Sequence, residues 1–114
     1  MEINIKDGYF VNRTNKIKFL DKLKSDLYNL LQEIFNFSCP DIDYGLNNFH
    51  KLISNITDPE LNEKRVLLIN KFNETCNPGN LIFDAFKDNI IKLLGPDLLI
   101  QKNCNIVIQK PNDP

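Results

Sequence analysis

The stretch "IKFLDKLKSDLYNLLQEIF" constrains the fold of this chain more than any other. Ile17, Leu20, Leu23, Leu27, Leu30, Leu31 and Ile34 recur at steps of three and four, while Lys18, Lys22, Lys24 and Asp26 take the opposite face. This is the helical period, so a long amphipathic helix must lay its apolar stripe on another element. The spacing predicts a helix over residues 15–36, capped by Thr14 or Asn15. "SCPDID" is its expected end, because Pro40 lacks an N–H and disfavours helix in the residue before it.

Three more helices follow from the same reasoning. Leu46, Phe49, Ile53 and Ile56 predict one over 46–55. "TDPEL" starts the next, over 59–75, with Asp58 as cap, Pro59 at the first helical position and Glu60 and Glu63 near the positive end of the dipole. Its buried face is expected to be Leu61, Leu68, Ile69 and Phe72. "NPGN" is read as its end, through Gly79, and a fourth helix over 81–94 carries Phe86, Ile90, Leu93 and Leu94 up to a Gly95-Pro96 stop. The predicted common core is Leu27, Leu30, Ile34, Phe72, Phe86, Ile90 and Leu94.

The period changes at both ends. "KDGYFV" suits a short N-terminal strand, and in "CNIVIQK" the residues Cys104, Ile106 and Ile108 alternate with Asn105, Val107 and Gln109. If the first set packs on the helices, Asn105 and Gln109 turn the other way. Two amides flanking a small apolar residue suit the lining of a polar-ligand pocket, although the high asparagine content accounts for Asn105 equally well. The expected class is therefore helix-rich α+β: four helices, a short N-terminal strand and a C-terminal strand.

Composition excludes several functions. With 114 residues, 42% hydrophobic and 25% charged, the chain suffices for one domain. A formal net charge of -1, with basic residues scattered, argues against a nucleic-acid partner. No basic segment leads into an apolar run and no window has the length of a membrane span, so no membrane partner and a cytoplasmic location are expected. Cys39, Cys76 and Cys104 then read as reduced, buried thiols, and with His50 alone they offer no zinc spacing. Asp41 with Asp43, or Glu60 with Glu63, read as caps and solvated charge, so neither a catalytic nor a metal-ligating residue is assigned. Four glycosylation-type triplets, at Asn12, Asn36, Asn55 and Asn73, are read as accidents of a chain with 17 asparagines.

Asp7-Gly8-Tyr9-Phe10 before a long helix, the Gly95-Pro96-Asp97 helix exit and the Lys110-Pro111 exit together carry a resemblance. In their order and spacing they are similar to the N-terminal third of the phytanoyl-CoA dioxygenase family of Fe(II)/2-oxoglutarate oxygenases, in particular those of bacterial surface-carbohydrate gene clusters. The resemblance implies that residues 1–114 are the N-terminal portion of a double-stranded β-helix, or jelly-roll, oxygenase, and that the remainder of that domain is the partner. It implies Fe(II) and 2-oxoglutarate for the full-length protein, acting on a small polar metabolite such as a sugar derivative. The family's H-x-D/E motif does not occur in this sequence, so no metal ligand is carried over. Gln109 first, then Asn105 and Lys110, are the expected contributors to the cofactor pocket.

A reading of a different class stands beside this one. In it the 114 residues are expected to be complete and to form a small α+β interaction or binding module with no catalytic activity, whose exposed strand from Leu98 to Gln109 pairs with a partner by edge addition.

Overall fold

The computed structural model describes residues 2–4, 9–11, 17–101 and 103–109. Its elements in chain order are β1 (Glu2–Asn4), β2 (Tyr9–Val11), α1 (Ile17–Phe35), α2 (Ile42–Asn47), α3 (Phe49–Leu52), α4 (Asp58–Cys76) and α5 (Pro78–Leu94). The capping residues Thr14 and Asn15 lie outside the described residues.

The α+β jelly-roll expectation is overturned. Among the described residues regular pairing is confined to β1 and β2, three residues each, antiparallel with Ile3 opposite Phe10. Residues 104–109, expected as a strand, enter no ladder. Alternating hydrophobicity fixes which side chains face inward, but a ladder also needs a neighbouring strand. Here the neighbours are helices, and the molecule is helix-rich: α1, α4 and α5 pack on one another, with α2 and α3 joined between α1 and α4.

The end of α1 is set by Asn36, four residues before the expected breaker Pro40. Asn36 adopts the left-handed conformation (φ 58°), and the Phe37 N–H reaches back to the Gln32 carbonyl at 3.1 Å. That six-to-one bond satisfies a helix-terminal carbonyl and turns Phe37 inward. Phe37 then stacks edge-on with Tyr28 (centroids 6.1 Å apart) and tilts against Phe49 (5.9 Å), which meets Phe35 at 5.1 Å.

The single helix expected over 46–55 is two shorter ones. Asp41 caps α2 by accepting from the Tyr44 N–H at 3.1 Å, so helix begins at Ile42. Asn48 then ends it, its backbone N–H and its side-chain amide both donating to the Tyr44 carbonyl at 2.9 Å. An asparagine side chain that competes for a helix-terminal carbonyl is a common reason for such a break.

Thr57, and not Asp58, caps α4. The Thr57 Oγ1 accepts from the Glu60 N–H at 3.4 Å, which makes Asp58 the first helical residue and Pro59 the second. Thr57→Ala is expected to cost about 0.5–2 kcal/mol in urea unfolding, and Thr57→Ser to be nearly neutral. Equal losses in the two variants would remove Thr57 as the cap.

At the other end of α4 a single residue separates two helices. Asn77 (φ 48°, ψ 53°) is left-handed, and the buried Pro78 opens α5, where its missing N–H has no helical partner to lose. "NPGN" therefore joins two helices where a longer gap was expected. Gly95 (φ 89°) ends α5 as expected, in a conformation that side chains resist.

The core sits where α1 meets α4. Leu31, Ile34, Phe35, Ile53, Leu61 and Leu68 form its buried cluster, and Ile106 and Ile108 pack on it from the C-terminal run. Of the expected core, Ile34 and Phe72 are buried, Leu27, Leu30, Phe86 and Ile90 are half-buried, and Leu94 is 66% exposed. Tyr28, absent from that expectation, is only 2% exposed; its hydroxyl donates to the Cys39 carbonyl at 2.6 Å. Burial pushes its phenol up to about 12, so at neutral pH it remains a donor. Two ion pairs between elements, Glu33 with Lys71 and Lys24 with Asp43, are exposed and contribute little.

Candidate functional site

Two of the three residues singled out as a pocket lining, Asn105 and Gln109, belong to the run 104–109, which α4 holds in place. Asn73 faces it from the last quarter of that helix. Its Oδ1 accepts from the Cys104 N–H at 2.7 Å, and its Nδ2 donates to the Cys104 carbonyl at 2.8 Å. One side-chain amide thus satisfies both backbone groups of one residue, as a neighbouring strand would. The same Nδ2 also donates to the Ile69 carbonyl of its own helix at 2.8 Å, which fixes its orientation. Two turns earlier Arg65 donates through Nη2 to the Ile108 carbonyl and through Nη1 to the Asn62 Oδ1 at 2.9 Å.

Between these clamps burial alternates. Cys104, Ile106 and Ile108 are half-buried, whereas Asn105, Val107 and Gln109 are exposed, Val107 by 78%. Asn105 and Gln109 therefore turn away from the helices, as their parity requires. Lys110 lies outside the described residues. In extended chain the N–H and C=O of one residue point to the same edge and those of the next residue to the other. Cys104 and Ile108 share a parity and both bond to α4, so one edge of the run is held at these two residues. The backbone groups of Asn105, Val107 and Gln109 lie on the opposite edge and take no hydrogen bond among the described residues.

Beside this edge lies a groove of about 490 Å³ between α5 and residues 98–101 and 103–105. Ile82, Phe83, Ile90 and Leu94 form its helical wall, and Asn105 reaches its rim. Leu99, also on its lining, is fully exposed. A second hollow of about 240 Å³ lies where the end of α1 meets the start of α4, lined by Phe35, Ile53, Glu60 and Lys64 among others. Its two charges pair with each other at 3.1 Å.

The other candidates do not converge. His50 is exposed on α3, and the three thiols are half-buried and unlinked, in place of the full burial expected. Among the described residues no group of three or more His, Cys, Asp or Glu side chains is placed to hold a metal ion. Among them too, no helix is long and apolar enough to cross a membrane.

Sequence reasoning missed Arg65 and Asn73. Arg65 carried a faint signal, as one of two arginines in a chain that otherwise uses lysine for positive charge. Asn73 carried none, because one asparagine among many on a helix looks like any other. Its role depends on residues 31 positions away.

Scans against protein-family models, curated proteins and solved structures find no significant match to this chain. The dioxygenase resemblance accordingly rests on its three short sequence elements alone.

Proposed function

We propose that this chain is a docking module of the cytosol whose working surface is the outward edge of residues 104–109, and that it takes up an extended peptide segment there. One observation carries the reading: Asn73 and Arg65 hold one edge of the run on α4 while the opposite edge keeps its donors and acceptors unmet among the described residues. Backbone groups arrayed at alternate residues are what an added strand satisfies. Main-chain bonds supply its affinity, and side chains at alternate positions supply its selectivity. Two flanking amides and Val107 present a surface without charge, which favours a neutral partner segment.

Titrating the isotope-labelled chain with an extended peptide of alternating valine and threonine tests this. The amide signals of Asn105, Val107 and Gln109 are expected to shift together, and N-methylating the peptide along its pairing edge is expected to abolish the effect. Asn73→Ala removes both bonds to Cys104, at about 0.5–1.5 kcal/mol each, and is expected to weaken binding while α1 and α4 melt nearly as before. Shifts confined to other residues, or binding unaffected by N-methylation, would overturn the reading.

The outward facing of Asn105 and Gln109 also favours a second reading. In it the chain is a scaffold segment of an Fe(II)/2-oxoglutarate oxygenase acting on a small polar metabolite. The added segment then comes from the remainder of the enzyme, and Gln109, Asn105 and Lys110 border the cofactor pocket. Neutral amides can orient a carboxylate but supply no positive charge for it. Calorimetric titration of the whole gene product with Fe(II), alongside 2-oxoglutarate consumption, decides this reading, and failure to take up iron removes it.

A further inference from the structure

We infer that the partner of this edge is a second copy of the same edge, paired antiparallel about a two-fold axis through Val107. The inference rests on the docking reading and names its occupant. Three features of the run make it complementary to itself.

The first is hydrogen-bonding parity. In an antiparallel ladder the residues whose backbone groups point to the partner form reciprocal pairs, each exchanging both an N–H and a C=O, at every second position. With Val107 opposite Val107 of the other copy, Asn105 falls opposite Gln109 and Gln109 opposite Asn105. All three have backbone groups without a partner among the described residues. A register shifted by one would bring Cys104 into the ladder, whose N–H and C=O Asn73 already holds.

The second is side-chain matching. Val107 is apolar, β-branched and 78% exposed. On the axis it meets its own copy at cross-strand distance, where β-branched residues pack well. Amide meets amide on either side, so each Asn105 carbonyl and NH2 finds a complementary group in a Gln109.

The third is the lack of a deterrent within the paired residues, with Lys102, Lys110 and Pro111 lying beyond them in sequence. Exposed edges are ordinarily protected by lysine, proline or an inward-pointing charge. From Asn103 to Gln109 there is neither a charged residue nor a proline, and the formal net charge of -1 opposes the approach of two copies very little.

Charge-swapped variants on the axis test the inference on the intact chain, with sedimentation velocity over a concentration series as readout. The parent chain is expected to move from monomer to dimer as concentration rises. Val107→Lys alone and Val107→Glu alone place like charges opposite each other and are each expected to weaken self-association about tenfold, whereas their equimolar mixture is expected to recover it. Both substitutions point to solvent, so circular dichroism is expected to show unchanged helix content. Dimers that form equally well with either variant alone would place the interface elsewhere and overturn the inference. A parent chain that stays monomeric yet still takes up the valine–threonine peptide at this edge would overturn the second copy and leave the docking reading intact. A monomer that also ignores the peptide would overturn both.

Discussion

Gly45→Ala is expected to destabilise the protein by about 3 kcal/mol or more, although helix propensity alone favours alanine by roughly 0.5–1 kcal/mol. Gly45 lies inside α2 and is buried against Tyr28. A Cβ there would stand 2.0 Å from the Tyr28 hydroxyl oxygen, 2.6 Å from Cζ and 2.7 Å from Cε1. Rotating the hydroxyl cannot relieve this, because the ring itself is in the way. Tyr28 is held by Phe37 on one side and by its bond to the Cys39 carbonyl on the other. Either α2 withdraws from α1 or the tyrosine leaves its site and its buried hydrogen bond, and both outcomes cost more than the propensity gain. Urea unfolding of the single variants and the double variant checks this. In a Tyr28→Ala background the clash is gone, so the same Gly45→Ala change is expected to be neutral or slightly stabilising. A Gly45→Ala protein as stable as its parent would show that α2 does not rest on Tyr28.

Leu68→Ala is the second large effect, expected at about 2–5 kcal/mol and toward the upper part of that range. Leu68 is 0% exposed and belongs to the cluster formed by Leu31, Ile34, Phe35, Ile53 and Leu61. It is contributed by α4, and the cluster draws on α1 and Ile53 as well, so no single element can relax to fill the void. The informative comparison is Leu27→Ala. Leu27 is half-buried at the margin of the same cluster, and about 1–2 kcal/mol is expected from its partial transfer alone. Denaturant midpoints at constant slope would show the difference directly. Equal losses at the two positions would mean that the core is centred nearer to α1 than the α1–α4 seam.

The contrast between Leu27 and Leu68 shows where sequence reasoning reaches its limit. Periodicity places both on the apolar face of a helix, and both indeed face inward. Which of them lies at the centre depends on where the partner helices cross, and no local pattern encodes that. The same limit explains Ile90 and Leu94. They sit on the apolar stripe of α5, as expected, but line an open groove instead of a closed core. Tyr28 was missed for a related reason: a tyrosine off the main stripe looks solvent-facing until Gly45 and the Cys39 carbonyl are brought to it.

Local chemistry, by itself, determined the long helices, the stop at Gly95 and the opposite facing of Ile106 and Gln109. Each depends on residues within a few positions of one another: a repeat of three and four, a residue free to take positive φ, an alternation of two. Only the tertiary structure decided that Asn36 and Asn77 take left-handed conformations, that Asn48 splits one expected helix into two, and that the run 104–109 lies along α4 without a strand beside it. An asparagine can cap, turn or sit in a helix at similar cost, so packing selects among these states. The last difference matters most for function. An alternating segment specifies its two faces but not the neighbour on its edge, and in this fold that neighbour on one side is Asn73 and Arg65, side chains whose spacing from Cys104 and Ile108 exists only once the chain has folded back on α4.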